Sequence, residues 1–245
     1  MDDCIKRTYL SASALKAFAK SPNHYIQYVM GATETTPAMT FGSAFHCYVL
    51  EPKEFKKRYA VAPQVDRRTK AGKEVWNAFV EGVTEREVLT QQDMGLILDM
   101  EAAIKHHAPA FKLLGSCNQF EQLKEGKISD VNFKGIADGM GDGFIVDLKT
   151  CQDASPEAFE RTAYNSFYHE QAAAYMELFG ADRFYWIAIE KNPPYNVAVY
   201  MQSQEAFFKA QHRLKSLIQQ WDEWDGKPMS YSDNVFMLNL PKWAK

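Results

Sequence analysis

No run of about 18 uncharged apolar residues occurs in the 245-residue chain, which argues against a membrane-spanning helix. Met1 to Leu10 carries charges where a secretory signal needs an apolar core, so the expectation is a soluble, cytoplasmic protein. Cysteine is sparse. Cys4, Cys47, Cys117 and Cys151 are far apart and include no Cys-x-x-Cys pair, which speaks against both a zinc site and a disulfide framework. A Gly-x-x-x-x-Gly-Lys-Ser/Thr loop is also missing, so the chain carries no ATP-driven motor of that type. Internal repeats and low-complexity tracts are absent. With a net charge of −3, the chain has no overall basic excess of the kind that marks many nucleic-acid binders.

What is present is unevenly distributed. From Lys53 to Lys73, eight cations (Lys53, Lys56, Lys57, Arg58, Arg67, Arg68, Lys70, Lys73) face two acids (Glu54, Asp66), a local net charge of +6. Such a stretch is either a solvated face or a surface turned toward phosphate. The length and the 46% hydrophobic content suit one domain over 1–245, mainly helical over 1–115 and with a sheet-bearing core over 116–245.

Ser11 and Ser13 are candidate caps for a helix through Phe18, and Pro22 can open another. Phe41, Phe45, Tyr48 and Val49 recur at helical spacing, and Thr90 precedes a further helical run. The pattern changes at Phe120. Val131–Met140 and Phe144–Thr150 read as strands joined by a glycine-rich turn, followed by one long helix from Ser155 to about Leu178 that Gly180 ends. Phe184–Glu190 and Asn196–Met201 read as a hairpin, and a last helix starts at Ser203. Helices, two strands, a helix, two strands and a helix describe an α/β fold with a mixed sheet.

In the second strand, alternation sends Val146 and Leu148 to one face and Asp147 and Lys149 to the other. The pattern Asp/Glu-x-Lys alone is weak, since it also occurs at Glu51, Glu54, Glu125 and Asp225. Context singles out Asp147: it lies in an apolar strand, and the preceding strand carries Asp138. Two acids beside one lysine can hold Mg²⁺ and orient an attacking water, the needs of phosphodiester hydrolysis.

Gly135-x-x-Asp138, Asp147-Leu-Lys149-Thr150 and Gln171-x-x-x-Tyr175 together resemble the motif series of the RecB-type branch of PD-(D/E)XK nucleases. Phe41 to Pro52, Val61-Ala-Pro63, Arg67-Arg-Thr69, Ala71-Gly-Lys73 and the closing Leu240 to Lys245 resemble the nuclease domain of the RecE (exonuclease VIII) family. The resemblance implies a restriction-endonuclease-like core, a mixed central sheet flanked by helices, with an extra N-terminal helical layer. It implies a Mg²⁺-dependent (or Mn²⁺-dependent) 5′-to-3′ exonuclease of a bacterial or phage-infected cell. Such an enzyme resects double-stranded DNA ends to 3′ tails for a RecT-like annealing partner and works as a ring-shaped homo-oligomer.

Carried over by position, the resemblance makes Asp138, Asp147, Lys149, Gln171 and Tyr175 catalytic. The metal ligands would be His46, Asp138, Asp147, the Leu148 carbonyl and, less firmly matched, Glu121. Gly42 would let the His46 helix approach the sheet. Ser11, Ser13, Arg67, Arg68, Lys73 and Thr150 are candidate DNA contacts, whereas Tyr164, Phe167 and Tyr168 are assigned to packing. Ile136-Ala137 stand where relatives often have Arg-Pro. The competing readings are a nuclease subunit of another repair complex and an inactive DNA-binding scaffold. Iron–sulfur relatives need clustered cysteines near the C-terminus, and none follows Cys151.

Overall fold

In the computed structural model, which describes residues 6, 8–31, 36–83, 85–229 and 235–240, helix starts follow the capping residues. Ser11 caps α1 (Ala12–Lys20) by accepting the Ala14 N–H, while Ser13 lies inside the helix. Ser21 and Pro22 open α2 (Pro22–Val29), Thr36 caps α3 (Pro37–Leu50), and Pro52 opens α4 (Pro52–Arg58). Strand β1 (Tyr59–Val61) pairs in parallel with β2 (Glu87–Leu89), with α5 (Lys70–Glu81) between them. Thr90 and Asp93 form a reciprocal capping box at the head of α6 (Gln91–His106), and α7 (Ala108–Gly115) follows.

The main sheet has the order β3-β4-β5-β6-β7: Gln119–Ile128, Val131–Gly141, Phe144–Cys151, Arg183–Glu190 and Val197–Met201. All neighbours are antiparallel except β5 and β6, so the sheet is mixed, as expected. Strand β3 is an addition to the strands read from pattern. Its residues are largely exposed, Leu123 by 60%, so it lacks the alternation that reveals a half-buried strand.

A parallel neighbour requires a crossover, and here it is helical. The single helix expected from Ser155 to Leu178 is in fact two, α8 (Pro156–Asn165) and α9 (Tyr168–Phe179). Phe167 at the break has φ +68° and is buried, so core packing of its ring holds a backbone turn that no glycine or proline announces. Gly180, at φ +73°, ends α9, and Ser203 caps α10 (Gln204–Glu223).

Alternation along β5 feeds two separate cores. Ile145 joins Leu15, Tyr25, Phe159 and Leu214 on the face covered by α1, α2 and α8–α10. Val146 and Leu148 join Phe45, Ile97 and Met100 on the face covered by α3, α4, α6 and α7. The N-terminal helices divide between the two faces: α1 and α2 cross to the face opposite α3. Leu10 explains the crossing. It docks on β4, donating to Asn132 O at 2.9 Å and accepting from Lys134 N at 2.8 Å, and so leads the chain onto that face.

Candidate active site

The ladder between β4 and β5 holds only from Gly139–Val146 to Gly141–Phe144. Beyond it the strands part, and Leu10 takes the edge of β4 further down. The gap at Ile136–Asp138 is where the chemistry gathers. Asp138 Oδ2 accepts the Leu148 N–H at 2.8 Å, replacing a ladder bond with a carboxylate. Because the sheet is open there, groups from helices on both of its faces can meet.

From α9, Gln171 Nε2 reaches Asp147 Oδ1 at 3.4 Å, while Asp147 Oδ2 forms an ion pair with Lys149 Nζ at 2.6 Å. Burial pushes the Asp147 carboxyl up to about 6, against the pull of Lys149. Burial alone would lower Lys149, but Asp147 and Asp138 more than offset it and its pKa is raised. The lysine is firmly an ammonium here. Its Nζ also sits 4.9 Å from the centre of the Tyr168 ring, so Tyr168, which packs on the core as expected, also walls the candidate site.

Tyr175 supports this arrangement from one helical turn away. Burial raises its phenol, against the opposing influence of the nearby Gln171 side chain and Ile136 backbone. Gly135 makes room for it: a Cβ there would lie 2.6 Å from the ring. The expectation that Gln171 and Tyr175 share a face holds, and the group that Gln171 reaches is Asp147.

From α3, His46 Nδ1 comes within 3.3 Å of Asp138 Oδ2. Burial, then Lys149, drives the imidazole down to about 4, so this is not an ion pair at neutral pH, and the neutral ring is the form that binds a metal. Glu121 on β3 completes the cluster. Its register places it opposite Asp138, between the pairs Phe120–Gly139 and Gln122–Ala137, and its φ of +49° is rare for a glutamate. Burial, then Asp138, pushes its carboxyl up to about 7. Asp138 is likewise raised by burial, against Lys149 and the Leu148 N–H.

One potential ligand atom each of His46, Glu121 and Asp138 lies within 4.8 Å of the others, a nitrogen and two oxygens suited to a divalent ion. Facing carboxylates repel unless a cation or proton lies between them, which the raised Glu121 expresses. The residues fit a metal. Asp147 stands beside this trio, with its oxygens directed to Lys149 and Gln171.

A cleft of about 700 Å³ opens onto these groups, lined among others by Ser13, Gly42, Arg58, Tyr59 and Ile136. Gly42 does not serve close helix–sheet approach, because a Cβ there would meet nothing within 4 Å. Its place is the open cleft wall. Ser11 spends its hydroxyl on the α1 cap. Thr150 continues β5 opposite Ile189 of β6. Ala137 is buried in the core and Ile136 is 47% exposed. Arg67, Arg68 and Lys73 lie outside the cleft, and Tyr164 is 69% exposed, so it is not packing. The closing residues 241–245 and Cys4 fall outside the described residues.

A mixed sheet that presents two acids and a lysine at an opened ladder is the architecture of the PD-(D/E)XK nuclease superfamily. Within it, the chain belongs to the family described as PDDEXK-like domain of unknown function, DUF3799, whose model matches residues 11–227. A search of curated proteins finds no match. Among solved structures, a Eubacterium rectale protein described as a "putative exonuclease" aligns at 17% identity over 97% of this chain and 92% of its own, with a TM-score of 0.64. LHK-Exo in complex with dAMP aligns at 11% identity over 74% of this chain and 86% of its own, with a TM-score of 0.31. No helix among the described residues is long and apolar enough to cross a membrane.

Proposed function

We propose that this protein is a Mg²⁺-dependent deoxyribonuclease that resects linear double-stranded DNA from 5′ ends. The observation that carries the reading is the convergence of His46, Glu121 and Asp138 beside a buried Asp147–Lys149 pair. A hydrolase that needs a hydroxide and a counter-charge for a phosphoryl group requires those types at that place.

Asp138, His46 and Glu121 would hold the metal, with the Leu148 carbonyl and Asp147 as further donors; Mn²⁺ would substitute. A bound metal supplies Lewis acidity and an acidified water. Lys149, kept charged by Asp147 and Asp138, orients the attacking water and offsets charge on the phosphoryl oxygens. Gln171 fixes Asp147, Tyr175 backs Gln171 from one turn further along α9, and the Tyr168 ring confines the ammonium. Ser13, on the cleft wall, would meet the DNA backbone.

The 5′-to-3′ direction, the 3′ tails handed to an annealing protein and a ring-shaped homo-oligomer follow the resemblance of the motif series to RecE-type exonucleases. The fold match to a protein described as a "putative exonuclease" is in line with it. All of Asp138, Asp147 and Lys149 are present, which disfavours an inactive scaffold. The test is a linear duplex labelled at one end or the other, with a closed circle as control. The expected result with Mg²⁺ is early release of the 5′ label, an intact circle and no release by Asp147→Ala. Early release of the 3′ label would overturn the polarity, and cutting of the circle would overturn the exonuclease. Light scattering tests the ring.

A further inference from the structure

We propose that the segment from Lys53 to Lys73, leading into α5, is an arm that grips the phosphates of the duplex outside the cleft. The proposal rests on the nuclease reading above and assigns a substrate-holding role to residues that the chemistry does not use.

Charge is the first observation. The segment is net +6 in a chain of net −3, so the remaining residues sum to −9. A protein this acidic repels DNA over most of its surface, and one stretch reverses the sign. All eight cations of the stretch are exposed. Lys57 pairs with Glu54 and Arg58 with Glu51, but among the described residues no ion pair engages Lys53, Lys56, Arg68, Lys70 or Lys73.

The second observation is that the segment is anchored in the core at Phe55 and Tyr59 but leads into a helix that is built without being buried. Of the twelve residues of α5, Gly72 alone is buried. A helix that packs so little on its own body gains little from tertiary burial, the usual source of helical stability in proteins. Its root is nonetheless tightly built. Thr69 Oγ1 donates to Asp66 O at 2.9 Å and accepts the Gly72 N–H at 3.0 Å, Asp66 Oδ1 accepts the Arg68 N–H at 2.9 Å, and the Arg67 guanidinium lies 4.5 Å from the Trp76 ring centre. A Cβ on Gly72 would lie 2.0 Å from Asp66 O, so only glycine fits this turn. The backbone that carries Arg67, Arg68, Lys70 and Lys73 is thus held in place before any partner arrives, which lowers the ordering cost of binding.

Position decides the partner. Arg58 and Tyr59 line the catalytic cleft, and the chain runs from them through β1 and a short connection to Arg67. The positive segment therefore touches the cleft at Arg58 and continues into Arg67, Arg68, Lys70 and Lys73, which do not line it and would meet duplex that extends beyond the cleft. Phosphate contacts of this kind position DNA without reading its sequence.

The experiment is equilibrium binding of the full chain to a fluorescent 30-base-pair duplex in chelator, where no cleavage occurs, across a salt series. The triple variant Arg68→Gln/Lys70→Gln/Lys73→Gln is expected to bind at least ten times more weakly at about 100 mM salt, with a log–log salt slope shallower by about 3. Hydrolysis of a small diester, bis(p-nitrophenyl) phosphate, should be unchanged, as the cleft is untouched. If the triple variant failed to fold, Lys70→Gln and Lys73→Gln singly should each flatten the slope by about 1. An unchanged affinity and slope would overturn the arm. So would a loss of mass in light scattering without a change of slope, because the arm would then be holding a second copy. Wild-type protein that binds duplex with this slope but never cleaves sinks the nuclease reading and leaves the arm standing.

Discussion

Glu121 and Asp138 stand opposite each other on adjacent antiparallel strands, and the backbone of Glu121 takes φ +49° at that position. Two carboxyls in that relation cannot both ionise cheaply without a cation, so the metal-free protein is expected to have a pH-dependent weakness there. The Glu121 carboxyl is raised to about 7 from an ordinary 4.5, so between those values the folded state holds a proton that the unfolded state has lost. Stability of the metal-free protein therefore falls as pH rises through that window. Metal affinity should run the other way, tightening with pH as protons are displaced. Thermal melts from pH 4.5 to 8, with and without Mn²⁺, check both; Glu121→Gln should flatten the metal-free curve and weaken Mn²⁺ binding.

Asp147 and Lys149 are a buried pair, and breaking one half should cost more than removing both. Lys149→Met is expected to lose about 3 kcal/mol at pH 8, where Asp147 is left ionised and unpaired, and less at pH 5, below the Asp147 value of about 6. Asp147→Asn/Lys149→Met should recover most of that loss. Urea unfolding gives the cycle, and duplex hydrolysis should drop by about a thousandfold or more in every member, the scale of a lost electrostatic stabiliser.

At Gly135, alanine would press on the Tyr175 ring from 2.6 Å. Gly135→Ala is expected to destabilise by about 1–3 kcal/mol, the range for overpacking, and to lower kcat with little change in metal affinity. Tyr175→Phe keeps the ring and removes the hydroxyl that lies near Gln171. The expected result is near-native melting and a kcat about tenfold lower, the scale of one net hydrogen bond.

The Tyr168 ring beside Lys149 is worth about 1 kcal/mol as a cation–π contact. Tyr168→Leu should lower kcat about fivefold, whereas Tyr168→Phe should retain most of it. Equal loss in both would mean that the hydroxyl matters and the ring does not.

Much of this site was legible in the chain because strand alternation is a strong signal: Asp147 and Lys149 share a face, and Val146 and Leu148 are buried behind them. Capping chemistry likewise marked Ser11, Thr90 and Ser203. The break at Phe167 was not legible, since tertiary burial of an aromatic ring decides it. Strand β3 was missed by pattern because its faces are not sorted by polarity; the packing of Tyr168 was legible but its contact with Lys149 was not, because an aromatic near a helix start reads only as core. Gly42 shows the opposite error, a glycine with an assumed packing purpose and open space around it.

Leu10 has a consequence for how this protein can be handled. Its backbone covers Asn132 O and Lys134 N on a strand whose Phe133 is fully buried. Trimming the chain past Leu10 would uncover a short stretch of bare sheet edge beside an apolar core, which is a template for pairing with another chain. A shortened preparation should therefore tend to self-associate, and an assembly seen only in such a preparation would be an artefact of the cut rather than support for the proposed ring.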